Sequence, residues 1–173
     1  DKVRYEGFAS FVNSFNKRLT EGNGQRSFLF ALNFWPISHD VTNYYTEDGT
    51  YYSFHPTAFN NPFWLAENNG SYSTTNRFIL NQSITIELAP WLKLTERFGA
   101  DTYHTLIEDE VNIGTRGFAN GRMLNSDINN RILNNDLVLS ADRRLSDTWQ
   151  ISASIGNNVY ENSFKQNIIR GVG

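Results

Sequence analysis

From Asn76 to Tyr103 the chain alternates apolar and polar residues with a period of two, and this pattern strongly limits the folds available to it. Successive side chains of a β-strand point to opposite faces, so the alternation predicts strands with one apolar and one polar face. The apolar side contains Phe78, Leu80, Ile84, Ile86, Leu88, Leu92, Leu94, Phe98 and Ala100. The polar side contains Arg77, Asn81, Lys93, Arg97 and Asp101. Glu96 interrupts the apolar side, and a tight connection at Ala89 and Pro90 separates the two predicted strands.

The same alternation returns in two later segments and at the start of the chain. The apolar residues there are Leu133, Leu137, Leu139 and Ala141, then Ile151, Ala153, Ile155 and Val159, with Val3, Tyr5, Ala9 and Phe11 in a fifth candidate strand. Asn135 is out of pattern. The pattern predicts hairpins over 74–107 and 127–165. The predicted connections alternate in length, with a long one at 17–73, a short one at 89–90, a medium one at 108–126 and a short one at 143–147.

The long connection contains local signals for order. Residues 25–36 are predicted to form a short helix that is stopped by Pro36, and residues 61–70 a helical turn opened by Asn61 and Pro62. An Asp-Gly pair within 46–50 predicts a turn between tyrosine-rich strands. We therefore expect a long loop that carries short helices.

Charge and composition argue against several functional classes. The net charge of -3 comes from 15 basic and 18 acidic residues spread along the chain, so no nucleic-acid partner is expected. There is no cysteine, which excludes disulfides and thiol catalysis. His39, His55 and His104 match no zinc spacing, and we expect no metal and no cofactor. Serine-nucleophile motifs are missing as well, and the chain is not expected to be an enzyme.

The loop lengths and two-faced strands together predict part of a transmembrane β-barrel. In outer-membrane barrels one rim carries tight turns and the other long loops, and alternate residues are apolar over about 9–11 positions per strand. A mean hydropathy of -0.48 is compatible with this architecture because only one face of each strand is apolar. Five strands in lipid would leave two unpaired edges, so further strands are expected. The apolar side would face lipid and the polar side a lumen, with Trp91 and Trp149 as interfacial anchors.

One stretch, residues 61–101, also resembles a known family. It contains an Asn-Pro-aromatic segment at 61–64, Asn76-Arg77-Phe78 at a strand opening, Pro90-Trp91 at a turn, and a Gly-x-Asp motif at 99–101. These elements, in this order, resemble the SusC-like branch of TonB-dependent outer-membrane transporters. Residues 129–158 resemble the next hairpin of such a barrel.

The resemblance implies an active importer in the outer membrane of a Gram-negative bacterium of the Bacteroidota type. It implies a barrel of roughly 22 strands with an N-terminal plug, driven by the TonB complex, and a SusD-like surface lipoprotein that helps to capture glycans or peptides. The chain would be a partial barrel without the plug, with 17–73 and 108–126 as extracellular loops. Arg77, Asn81, Lys93, Arg97 and Asp101 would face the plug or substrate. The loop aromatics, which would meet solute or the lipoprotein, are Tyr44, Tyr45, Tyr51, Tyr52 and Trp64.

Two other interpretations remain open at this stage. A secreted, soluble carbohydrate-binding β domain would also use abundant asparagine, tyrosine and tryptophan, since aromatic rings stack on sugars. A soluble β-rich glycosidase would need a pair of catalytic carboxylates. Both alternatives predict a chain that remains in solution without detergent.

Overall fold

The structure, a computed structural model, describes residues 2–20, 23–55 and 57–173. Its strands are β1 (Val3–Arg18), β2 (Gly70–Ala89), β3 (Leu92–Val111), β4 (Arg122–Arg144) and β5 (Gln150–Val172). They form an open antiparallel sheet in the order β1-β2-β3-β4-β5, so each strand pairs with its neighbours in sequence. Two short helices, α1 (Phe28–Asn33) and α2 (Pro62–Asn68), follow β1 and precede β2 in the sequence. The chain is all-β, as the alternation predicts.

The strands extend beyond the predicted hairpins. β2 and β3 have 20 residues each, and β4 and β5 have 23 each. The predicted hairpins 74–107 and 127–165 therefore occupy 70–111 and 122–172, and the connections shorten to 19–69 and 112–121. The tight turns lie at 90–91 and 145–149. The boundaries differ because backbone pairing continues after the apolar and polar side chains stop alternating.

Both helices lie in stretches with predicted helical character. Ser27 caps α1 by accepting a hydrogen bond from the Phe30 backbone, and α1 ends before Pro36. The Asn61 side chain accepts from the backbone N–H groups at positions 63 and 64, and Pro62 occupies the first turn of α2. Such caps satisfy N–H groups that have no partner within the helix. Neither described helix is long and apolar enough to cross a membrane.

The chain divides into two compact units. Unit 1 comprises Asp1–Asn13, Thr75–His104 and Ile128–Gln166, and its described residues are strand segments with the two tight turns. Unit 2 comprises Ser14–Thr74, Thr105–Asp127 and Asn167–Gly173, and it contains both helices. We call residues 23–55 and 57–69 of unit 2 the cap.

The buried apolar residues of the described chain belong to unit 2. Ala31, Phe59, Trp64 and Leu65 form a cluster, and Val111 is also buried. Trp35, Tyr44, Tyr51 and Ala58 pack against this cluster. In the Asp-Gly turn of the cap a single bridge joins Tyr45 and Tyr51, where tyrosine-rich strands were expected, and Gly49 adopts a φ of 80°.

Candidate functional site

The polar face of unit 1 brings together most of the predicted lumenal residues and their partners. Arg77 and Asp101 form a two-pronged ion pair, with 2.8 Å between Nε and Oδ1 and a second contact between Nη2 and Oδ2. Lys93 Nζ lies 3.0 Å from the Glu87 carboxylate on the neighbouring strand. Planar forks of this kind orient a guanidinium more strictly than a single contact does.

Asn81 and Arg97 lie further along this face and share a recess with Asn134 and Asp136. An added Cβ at Gly99 would come within 3.2 Å of the Asn81 Oδ1 atom, so the glycine leaves room for this amide. Arg97 is exposed and makes no ion pair with any described residue. The recess therefore offers an uncommitted cation beside two amides and a carboxylate.

The polar face continues on β4 and β5 through residues outside the set of predicted lumenal residues. Asn158 donates to Asn134 at 2.9 Å and to Asp136 at 2.6 Å. Asp142 accepts from Gln150 at 2.7 Å and from Ser152 at 2.9 Å. The alternation places each of these residues on the polar side, so the sequence pattern contained the signal that could have identified them.

The opposite face of unit 1 carries an apolar band on every strand. The band covers residues 3–11, 78–88, 92–100, 133–141 and 151–159, which is eleven residues in β2 and nine in each other strand. Side chains of the band are exposed on the edge strands β1 and β5 and mostly half-buried on β2, β3 and β4. Ile155 on β5 is 73% exposed. Beyond the band the same face turns polar, where Asn13 donates to Asn76 at 2.7 Å and Arg131 pairs with Glu161.

On each strand one residue that is not apolar interrupts the band, and two of these residues form a hydrogen bond with each other. The interrupting residues are Gly7, Gln82, Glu96, Asn135 and Asn157. The Asn135 Nδ2 atom donates to the Glu96 carboxylate at 3.0 Å across β3 and β4. The two residues that break the sequence pattern thus satisfy each other, which lowers the cost of placing polar groups on an apolar face.

Both tight turns of unit 1 place a tryptophan beside the band. Trp91 is 41% exposed and Trp149 is 70% exposed. The Arg143 guanidinium lies over the Trp91 ring, 5.6 Å from its centroid. An exposed indole beside a cation and an apolar surface is typical of a boundary between apolar and polar surroundings.

Some of the predicted loop aromatics are packed inside the cap, whereas others are exposed to solvent. Trp64 is only 7% exposed and packs against Tyr51 with 4.8 Å between ring centroids and the ring planes inclined by 40°. The Tyr51 hydroxyl accepts from the Asn61 backbone at 2.6 Å. Trp64 and Tyr51 therefore hold the cap together. Tyr45 and Tyr52 are exposed by 45% and 40%, which leaves their rings open to a ligand.

Tyr44 packs against the buried cluster of the cap and also lies beside the exposed Tyr45. Its ring lies 5.1 Å from that of Tyr45, and its hydroxyl donates to the Glu67 carboxylate at 2.8 Å. This hydrogen bond to an anion favours the protonated phenol and raises the pKa of Tyr44. The Tyr44 hydroxyl is therefore held as a donor to Glu67.

Two buried asparagines join the cap to the connection at 112–121. Asn60 donates to the Gly114 carbonyl at 3.2 Å and accepts from the Arg116 N–H at 2.7 Å. The Asn69 Oδ1 atom accepts from the Asn112 N–H at 2.8 Å and from the Thr115 hydroxyl at 3.1 Å. These cross-links hold the two connections of unit 2 in one arrangement.

The geometry of these residues suits binding and positioning, since amides, forked ion pairs and exposed rings are recognition groups. No group of three or more histidine, acidic or cysteine residues that could hold a metal ion occurs in the part of the chain that the structure describes. No protein-family model matches this chain, and no curated protein matches it at a significant level.

Proposed function

We propose that the chain is part of the barrel wall of an outer-membrane active importer of the TonB-dependent, SusC-like type. The observation that carries this proposal is the apolar band, which has nearly the same length on all five strands. At about 3.3 Å per residue, nine to eleven residues extend about 30–36 Å, and a tilt of about 40° reduces this to about 23–28 Å. That height corresponds to the apolar band of an outer-membrane barrel, which is about 25 Å tall.

The polar face of unit 1 supports a water-filled interior on the other side of this wall. Arg77 and Asp101 hold each other in a fixed geometry, and Lys93 pairs with Glu87. Asn81 and the unpaired Arg97 are available to a plug domain or to a passing solute. In this role the polar face performs no covalent chemistry and offers hydrogen-bonding groups along a transport path.

The two edges of the sheet support a larger barrel. In lipid, the unpaired backbone groups of β1 and β5 would each cost several kcal/mol, so a membrane-embedded sheet needs further strands on both sides. A complete barrel of roughly 22 strands with a plug, energised by the TonB complex, provides them in this proposal.

Loop lengths support a proposed orientation of the two rims of the barrel. The connections 90–91 and 145–149 are short and carry Trp91 and Trp149, which suits the periplasmic rim. The connections 19–69 and 112–121 are longer and would lie outside the cell. There the exposed Tyr45 and Tyr52 are placed to meet a glycan or peptide, or a SusD-like lipoprotein.

Cysteine labelling tests the membrane orientation, because this chain contributes no cysteine of its own. Neighbouring positions in β5 form a matched pair, since Ile155 lies on the apolar face, Ser154 lies on the polar face, and both are exposed. In outer membranes that contain the intact polypeptide, Ser154→Cys should react with a hydrophilic maleimide. Ile155→Cys should react only after detergent is added, because lipid would cover it.

A second pair lies in β3. Thr95→Cys on the polar face should react without detergent, whereas Leu94→Cys on the apolar face should react only after detergent is added. Equal labelling at both members of each pair without detergent would overturn the proposal. Recovery of the intact polypeptide in the soluble fraction would also overturn it and would favour the secreted carbohydrate-binding domain.

A further inference from the structure

Two arginines of unit 2 converge on a single carboxylate. Arg26 precedes α1, Arg122 begins β4 and Asp109 lies near the end of β3. Arg122 Nη2 donates to Asp109 Oδ2 at 2.7 Å, whereas Arg26 Nη1 lies 4.0 Å from the same oxygen. Glu108 and Glu110 alternate to the other face of β3, so they add no second carboxylate to this side. The cluster therefore carries one more positive than negative charge.

Each guanidinium of the cluster has a donor atom without a partner. Arg26 Nη1 and Arg122 Nε are buried and make no hydrogen bond within the described residues. A buried N–H group left without an acceptor costs free energy, more so when it is charged. Each of the two arginine side chains is 24% exposed as a whole, so a small ligand can approach the cluster. The cluster has two charged donors and lacks an acceptor for them.

A phenylalanine holds both guanidiniums in place. The Arg26 and Arg122 guanidinium carbons lie 4.8 and 5.1 Å from the centre of the Phe118 ring. Cations at this distance from an aromatic face are attracted to it, more strongly when water is excluded. The ring thus keeps two like charges near each other, although one carboxylate cannot neutralise both.

The connection at 112–121 fixes the position of the ring. Gly117 and Gly121 adopt φ angles of 78° and 75°, which other residues adopt only with strain. An added Cβ at Gly121 would lie 2.9 Å from the Val111 carbonyl oxygen. Phe118 donates its N–H to the Thr115 carbonyl at 2.8 Å. The backbone that presents Phe118 and Arg122 is therefore formed in advance of any ligand.

The electrostatics of Arg26 agree with a missing anion. Burial lowers the pKa of this guanidinium, the positive charge of Arg122 lowers it further, and Asp109 offsets these effects only in part. An additional anion, together with Asp109, would balance the positive charges of both arginines.

We propose that Arg26 and Arg122 bind the oxyanion group of a small solute, either a carboxylate or a phosphate, beside the Phe118 ring. Oxygen atoms of such a group would accept from Arg26 Nη1 and Arg122 Nε, the donors that have no partner. The site is independent of how the sheet is embedded. Its use in selecting acidic solutes for import rests on the proposed function.

Anion-dependent thermal stability of the intact polypeptide, purified in detergent, tests the site. Inorganic phosphate and acetate are each titrated against chloride at equal ionic strength, so general screening is matched. We expect a saturable rise in Tm with at least one oxyanion, because a ligand that binds only the folded state stabilises it. A rise with phosphate alone, or with acetate alone, identifies the preferred group.

Variants separate this site from a purely structural cluster. Arg26→Gln should abolish the rise, whereas Arg116→Gln should keep it, since Arg116 lies in the same unit and donates to the Thr57 carbonyl instead. Asp109→Asn removes the competing carboxylate and should tighten oxyanion binding by about tenfold. If Arg26→Gln does not fold, the Asp109→Asn titration decides, because a structural cluster would gain no affinity.

Two results would overturn the proposal: identical Tm values in chloride, phosphate and acetate, or weaker oxyanion binding by Asp109→Asn. Failure of the membrane-labelling experiment would leave an observed anion response intact, so the site and the transport proposal can fail separately.

Discussion

Unit 1 and unit 2 treat their apolar side chains in different ways. Unit 2 buries Leu65 to 2% exposure within a small cluster, whereas unit 1 leaves Ile155, on the edge strand β5, 73% exposed on an apolar face that runs across all five strands. Every buried apolar residue in the described parts of the chain belongs to unit 2. The cap is therefore stabilised by contacts within the chain, whereas in the proposed function lipid covers the band of unit 1.

Truncation of one leucine in each unit gives the largest expected contrast. Leu65→Ala should destabilise the cap by about 2–5 kcal/mol, because it removes buried atoms and leaves a cavity. If lipid covers the band, as proposed, Leu80→Ala should cost less than about 2 kcal/mol, because mobile acyl chains can fill the space. Native-state hydrogen exchange of the α2 and β2 amides measures the two changes. Equal costs would mean that Leu80 is packed within protein and that the two units do not differ in this respect.

An arginine placed on either side of one strand tests the surroundings of unit 1. Ile84→Arg should lower the stability of the membrane-assembled protein by about 2–4 kcal/mol if lipid faces it, whereas Ser83→Arg should have little effect on the polar face. The measurement is urea-induced unfolding of the intact polypeptide in vesicles. Similar small costs for both variants would indicate that water reaches both faces.

The pair formed by Glu96 and Asn135 offers a finer test of the band. Asn135→Leu should cost about 1–3 kcal/mol, because it leaves a carboxylate without its donor on an apolar face. The double variant with Glu96→Leu should recover most of this loss, since both polar groups are then removed together. A double-mutant cycle by urea unfolding gives the coupling. No coupling would indicate that water solvates both residues.

The smallest expected effect is a pH response confined to the cap. Asp40 accepts from the Thr42 hydroxyl at 2.7 Å and from its N–H at 2.9 Å, and both bonds hold the pKa of Asp40 below its ordinary value of 3.8. Because the folded pKa is depressed, the stabilisation is present above pH 3.8 and is lost as pH falls through the folded pKa. NMR titration of the carboxyl carbon measures this pKa.

Thr42→Ala is the matched control for this titration. It removes the hydroxyl donor and should raise the pKa of Asp40 towards its ordinary value. An unchanged pKa in this variant would show that the Thr42 hydroxyl does not stabilise the carboxylate.

Much of the fold was predictable because its signals are local. The period of two identified the strands and their two faces, and Asn61 with Pro62 marked the start of α2 before any contact was known. Arg77, Lys93 and Asp101 were recognisable as one polar face for the same reason. The strand ends were predicted poorly, because backbone hydrogen bonds continue through residues that carry no periodic pattern.

Contacts between residues distant in sequence required the tertiary structure. Glu96 and Asn135 are 39 residues apart in sequence. In the sequence, each one is only a polar residue at a position where the alternation predicts an apolar one. Arg26 lies in the connection at 19–69 and Arg122 begins β4, and only folding brings both to Phe118. Alternation reports which face a side chain takes, since that depends on its immediate neighbours in the chain. It carries no information about which side chain lies opposite, because strand register and loop packing decide that.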